Sequence, residues 1–340
     1  MKKIFTYISL IFAFSSCKSL VTDIDIPYTE RLVVQCFLSP QDSLIEVSVT
    51  QTAPVIGDIQ EGAERYPNIL NANVILSDGV KSVTVPYLSK QLPSSYDADG
   101  EYIFTTRARY FLSTKNYPIV TGKTYSLKIS APGFPSVESS CTIPVKVVGD
   151  KSITASQEIL TGTDRRGNVI SFPSIGVRFA DIPNEENFYS VGQFFYQKGT
   201  YLDATGSKKL RVNWTTKYEY IADKGQENQT LTAQAFDLKS YNNFNSFGGG
   251  GNGGGPNGGG GQQGGQQQNN GLVVTPTDRY TEIYVANTDR AYYLYNTAID
   301  KIRKANGNPF AEPILTYTNI RGGLGVMSGY NQSKLVVKVP

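Results

Sequence analysis

The sequence predicts a mainly β protein: an N-terminal antiparallel β-sandwich followed by a second β-rich domain that carries one α-helix. Three observations lead there. Apolar residues alternate with polar ones in short runs separated by turn residues, the period of half-buried strands. Tyr is abundant, at 22 copies, while charged residues make up only 18% of the 340, a balance that suits strands and wet loops. One stretch alone, near residue 290, spaces its apolar side chains as a helix does.

The chain opens with Met1-Lys2-Lys3, the apolar run Ile4–Phe14, and Ser15-Ser16-Cys17. Positive residues, a short apolar run and small residues before a cysteine form a secretory signal of the lipoprotein type. The run is too short for a spanning helix, which takes about twenty residues. Residues 1–16 are expected to be a lipoprotein signal peptide, with Cys17 as the lipidated first residue of the mature chain. Residues 17–26 are a polar tether.

Strands then fill residues 27–148, the expected sandwich. Leu32, Val34, Cys36 and Leu38 share a face, and Ile45, Val47 and Val49 alternate with Glu46, Ser48 and Thr50. Asn73–Leu76 runs into Ser77-Asp78-Gly79, a hairpin turn, and Val80–Val85 returns. Asp97-Ala98-Asp99-Gly100 precedes a strand at Glu101–Thr105. Tyr125, Leu127 and Ile129 share a face, Ala131-Pro132-Gly133 turns the chain, and Val137, Cys141 and Ile143 line the next strand.

Pro144–Ser152 reads as a junction to the second domain, residues 149–340. Ile175, Val177 and Phe179 mark one strand there, and the aromatic run Phe188–Tyr196 another. Val212, Trp214, Thr216, Tyr218 and Tyr220 occupy every second position. Such a stripe is commonly a strand's buried face. It also offers a ligand platform through Trp214, Tyr218 and Tyr220, because these side chains join a flat apolar face to a polar tip. Residues 248–271 are a Gly/Gln/Asn-rich insert with nothing to anchor a core, expected to be a disordered loop. A strand at Tyr280–Ala286 precedes the helix, residues 288–306, with Thr288 as N-cap and Tyr292, Tyr295, Ile299 and Ile302 as its apolar stripe, packed on the second sheet. Lys334–Val339 closes the chain as a strand.

The composition excludes several chemistries. There is no histidine, which removes the commonest general base and metal ligand. The net charge of +3 falls to +1 once Lys2 and Lys3 are removed, so the chain lacks a nucleic-acid binder's basic excess. Cys36 and Cys141 point into one core: they form either a disulfide, closing a loop of about a hundred residues worth about 4–5 kcal/mol at most, or two buried thiols that pack as small hydrophobes. Asp97, Asp99 and Glu101 lack the further ligands of a calcium loop and read as a turn. Asp181, Glu185 and Glu186 flank Pro183-Asn184, a solvated turn. Gly322-Gly323-Leu324-Gly325 lies too near the C-terminus to open a dinucleotide-binding unit. No nucleophile elbow occurs. The expectation is a protein without catalytic residues, metal or cofactor.

Several motifs are familiar as a set. The lipoprotein cysteine and tether, Glu30-Arg31-Leu32-Val33-Val34, Asn71-Ala72-Asn73-Val74, Gly122-Lys123-Thr124-Tyr125-Ser126-Leu127, Pro132-Gly133-Phe134 and, near the end, Asn308-Pro309-Phe310 with Asn319-Ile320-Arg321-Gly322-Gly323-Leu324-Gly325 resemble domain-of-unknown-function family 4249, lipoproteins of Bacteroidota. The first half also resembles carboxypeptidase-regulatory, immunoglobulin-like sandwiches. The resemblance implies an outer-membrane lipoprotein that is a non-enzymatic accessory, or ligand-capture subunit, of a TonB-dependent receptor. The alternative reading is a free-standing surface module that binds glycan or matrix through the Trp214 stripe. This chain departs from the family pattern at Cys36, where Gly is expected, and in its Gly-rich insert. Lys18-Ser19-Leu20 stands where acidic surface-export residues would be.

Overall fold

The computed structural model describes residues 29–53, 67–96, 102–145, 148–163, 167–202, 206–224, 229–237, 275–305, 312 and 314–338. Cys17, the tether, the Asp97–Glu101 segment and the Gly-rich insert lie outside the described residues.

The protein is mainly β, as its alternation requires. Fifteen strands are described, with one α-helix: β1 (Leu32–Leu38), β2 (Leu44–Gln51), β3 (Asn73–Ser77), β4 (Ser82–Thr84), β5 (Tyr87–Tyr96), β6 (Tyr102–Ser113), β7 (Thr124–Ser130), β8 (Val137–Thr142), β9 (Ile153–Thr163), β10 (Val169–Ala180), β11 (Phe188–Leu202), β12 (Lys208–Ala222), β13 (Thr230–Asp237), β14 (Thr275–Thr288), α1 (Arg290–Ala305) and β15 (Leu324–Lys338). They form an eight-stranded sheet in the order β12-β11-β14-β15-β1-β2-β6-β5, a four-stranded sheet β4-β3-β7-β8, and a three-stranded sheet β13-β10-β9.

Each smaller sheet packs on one half of the large one, giving two sandwiches with two cores. In the first, Leu32, Val34, Cys36 and Leu38 of β1 face Tyr125, Leu127 and Ile129 of β7, with Val137 and Cys141 of β8. The period of two puts each of these sets on one face of its strand, and burying one such apolar side chain fully is worth about 1.5–3 kcal/mol. In the second, Ile175, Val177 and Phe179 of β10 meet Tyr189, Val191 and Phe195 of β11 and Ile283 and Val285 of β14.

One strand belongs to both. β15, 15 residues long, spans about 50 Å at roughly 3.3 Å per residue. Its first part pairs in parallel with β1, from Val33↔Leu324 to Leu38↔Gly329. Its second part pairs antiparallel with β14, from Thr288↔Tyr330 to Tyr280↔Lys338. Met327 is buried in the first core, and Leu335 and Val337 pack on the second. The closing strand therefore begins at Leu324, ahead of the Lys334 start that alternation suggests, because Gly322-Gly323-Leu324-Gly325 disguises it as a loop.

That glycine-rich motif is a joint. Arg321 exchanges both backbone hydrogen bonds with Glu138 at 2.8 and 3.2 Å, and its guanidinium meets the same residue's carboxylate at 2.8 Å. The Asn319 side chain clamps the Met327 backbone, accepting from its N–H at 3.0 Å and donating to its carbonyl at 2.7 Å. Gly325, at φ 104°, passes so close to β1 that a Cβ would lie 1.9 Å from the Val34 carbonyl oxygen. Only a residue without a side chain fits there.

Candidate functional site

The face of the large sheet turned away from both cores carries α1. Directly paired residues share a face, so on β12, β11, β14 and β15 this outer face holds Tyr220, Ser190, Ala286 and Gln332 in one row, and Tyr218, Gly192, Tyr284 and Lys334 in the next. On β1 it holds Gln35 and Phe37, since Val34, Cys36 and Leu38 are committed to the core. β12 and β5, the two edges of the sheet, come within 8 Å of each other. The smaller sheets occupy the core side, so this approach curls the large sheet around the helix side.

The helix starts at Arg290, because Thr288 is still the last residue of β14 and donates its hydroxyl to the Phe188 carbonyl at 3.1 Å. The cap expected at Thr288 is Asp289: Oδ1 accepts from Tyr292 N–H at 2.8 Å and Oδ2 from Gly329 N–H at 2.8 Å. One carboxylate thereby closes the helix N-terminus and ties it to β15. Burial pushes the Asp289 carboxyl up to about 6 against those hydrogen bonds.

Tyr292 is the hub beneath the helix. Its ring lies 5.4 Å from Phe37, edge-on, 6.3 Å from Tyr220 and 5.6 Å from Tyr330. Burial raises its hydroxyl to about 12, opposed by a hydrogen bond with Ser190. Tyr330 donates to Asp42 Oδ2 at 2.8 Å, and Gln35 donates to the Tyr295 hydroxyl at 2.6 Å. Tyr295 and Ala298 are the buried residues of α1, whereas Ile302 is 38% exposed. The helical stripe thus docks at its N-terminal half, on strands β15, β1, β11 and β12 of the shared sheet.

The tyrosine stripe of β12 lies on this outer face and not in the core. Tyr220 is covered by α1. Tyr218, one row further on, is 56% exposed, and its ring leans over Gly192, where a Cβ would lie 2.9 Å from Tyr218 Cε1. Of Trp214 only the backbone is described, paired with Tyr196. Across the row from Tyr218, the Tyr284 hydroxyl donates to Glu282 Oε2 at 2.6 Å, Lys334 Nζ meets Glu282 Oε1 at 2.8 Å, and the same ammonium sits 5.4 Å from the Tyr284 ring centre. Burial favours a neutral Glu282, yet the Lys334 and Tyr284 hydrogen bonds leave its carboxyl below the usual range. Tyr196 and Tyr280 stack at 4.7 Å in the same face. The stripe alone is legible in sequence; that Tyr284, Glu282 and Lys334 join it depends on a strand order that local pattern does not encode.

The other candidates resolve into structure. Cys36 and Cys141 are free thiols, both buried; burial pushes Cys36 up to about 12 and Cys141 well above its ordinary value, so neither is a ready nucleophile. Glu185 and Glu186 are exposed around Asn184, whose φ of 69° marks the turn. Asp181 turns inward, accepting from the Tyr189 hydroxyl at 2.6 Å. Asp223 accepts the Asn187 N–H on both oxygens at 2.9 Å, with its carboxyl raised by burial and by Asp181 nearby. Among the described residues, no three His, Cys, Asp or Glu side chains gather as a metal set, and no helix is long and apolar enough to cross a membrane.

A family model described as "Domain of unknown function (DUF4249)" matches residues 20–335. No curated protein and no solved structure matches the chain.

Proposed function

The chain belongs to the DUF4249 family, and from that premise we propose that it is an outer-membrane lipoprotein, anchored through Cys17, that serves as a non-enzymatic ligand-capture subunit beside a TonB-dependent receptor. The observation that carries the capture role is the outer face of the large sheet. Its aromatic rows are gathered around α1 with Tyr218 left exposed, and hydrogen-bonding groups stand beside the rings. Rigid tyrosines give large contact area at low entropic cost, which is how recognition surfaces are built.

The anchor reading rests on Met1–Cys17. Two or more acyl chains hold a protein stably where one is marginal, so labelled palmitate should enter the wild-type protein and not Cys17→Ala; equal labelling removes the anchor. For the partner, the tagged protein is purified from gently solubilised outer membranes, and stoichiometric recovery of a large receptor barrel is expected. Recovery of the lipoprotein alone favours the second reading, a free-standing surface module that uses the same exposed Tyr218 row to hold glycan or matrix.

A further inference from the structure

We propose that the Tyr218–Gly192–Tyr284–Lys334 row, with Glu282 beside it, binds a neutral polysaccharide. This rests on the capture reading and names the class of ligand. Four adjacent strands bring the residues into one line by direct pairing: Tyr218 to Gly192, Gly192 to Tyr284, and Tyr284 to Lys334. Glycine in the second place is what leaves room. Any side chain there would strike the Tyr218 ring at 2.9 Å and approach Tyr284 Cβ at 3.7 Å. The result is a ring-lined strip that runs from the edge strand β12 across β11 and β14 to β15.

Three features select a sugar polymer among the ligands that aromatic strips hold. The C–H groups on one face of a pyranose are weakly positive and pack on the negative face of a tyrosine ring; Tyr218, at 56% exposure, presents such a face. Glu282 and Lys334 stand 2.8 Å apart with Tyr284 hydroxyl on the same carboxylate, an acceptor beside a donor, the arrangement a pair of neighbouring hydroxyls matches. The two charges cancel locally, so nothing in the row recruits an acidic sugar or a phosphate. A peptide adding as a strand would lie along the open edge of β12, whereas this row runs across the strands, from β12 through β11 and β14, which are paired on both sides, to β15.

The test is affinity electrophoresis of the full lipoprotein in mild detergent through gels holding mannan, xylan, laminarin or starch, with heparin as the acidic comparison. Retardation by at least one neutral polymer is expected, insensitive to salt between about 50 and 500 mM because no counterion is released. Tyr218→Ala and Glu282→Gln should each weaken it by about tenfold or more, the first from loss of the stacking face and the second from exchange of one charged acceptor oxygen for an amide donor. Tyr218 is exposed, so its truncation leaves the fold intact, as near-ultraviolet circular dichroism will check. No retardation by any neutral polymer, retardation by heparin alone, or wild-type retardation in either variant overturns the proposal. Receptor recovery in the purification experiment is independent of this outcome, so the two readings fail separately.

Discussion

Replacing Gly325 by Ala, inside β15, should destabilise the protein more than replacing Gly79 at its turn. Two costs add. The backbone at φ 104° is one that L side chains resist, a strain of about 1–3 kcal/mol. The new Cβ would also lie 1.9 Å from Val34 O and 2.8 Å from Val34 C, backbone atoms of a central strand that cannot rotate aside. Reaching an ordinary contact means separating β15 from β1 by about 1.5 Å, an overpacking cost of about 1–3 kcal/mol. The sum, about 4 kcal/mol, is a large part of a typical stability of about 5–15 kcal/mol. At about 2 °C per kcal/mol for a chain of this size, the melting temperature should fall by about 8 °C, read by circular dichroism. Gly79→Ala is the control: φ is 86° and nothing lies within 4 Å of its Cβ, so only strain remains. If the two variants melt within about 1 °C of each other, the steric argument at the joint is wrong.

Asn319→Ala should cost about 2–3 kcal/mol, since the Met327 N–H and C=O both lose their partner; Asn319→Asp, which keeps an acceptor and loses the donor, should lie between, and denaturant unfolding checks the order. Asp289 sets a pH dependence. Its folded carboxyl, at about 6, is above its unfolded value, so the folded state holds the extra proton and stability falls as pH rises from about 4 through 6. Asp42 and Asp223 are raised by burial in the same sense. Asp289→Asn, which can still cap, should therefore flatten part of that slope in melts across pH, and an unchanged slope would contradict it. Tyr330→Phe should cost about 1–3 kcal/mol by stripping the hydrogen bond from half-buried Asp42, measured in the same melts.

Where burial is one-sided the sequence was readable. The faces Leu32/Val34/Cys36/Leu38, Tyr125/Leu127/Ile129 and Ile175/Val177/Phe179 are all buried, and Gly79 turns where Ser77-Asp78-Gly79 announced it. β5 escapes because it is an edge strand: Pro93 sits beside a register shift to Ser95, and edges tolerate what central strands reject. The helix boundary moved by two residues because Thr288 had a strand partner that no local rule reveals. The tyrosine stripe was visible, yet whether it faced the core or the outside depended on which face of β11 took Val191 and Phe195. That is decided by the three-stranded sheet opposite. Glu282 and Lys334 could not be joined to the stripe at all without knowing that β14 and β15 separate them from β12.

β15 imposes an order on biosynthesis. β1 is among the first strands to emerge, and it pairs with β2 at once. Its other edge must wait for Leu324–Gly329, nearly the whole length of the chain later. Until then β1 shows a row of unpaired backbone groups and an unfinished apolar floor, since Met327 and Ile320 arrive with the same segment. An open central edge invites pairing with other chains, and contacts so distant in sequence form slowly. A chain released or cleaved before residue 324 would lose the closing strand of both sandwiches in one event. The nascent protein should thus depend on holding factors until the last strand is delivered, and proteases that sample its N-terminal half should find it open until then.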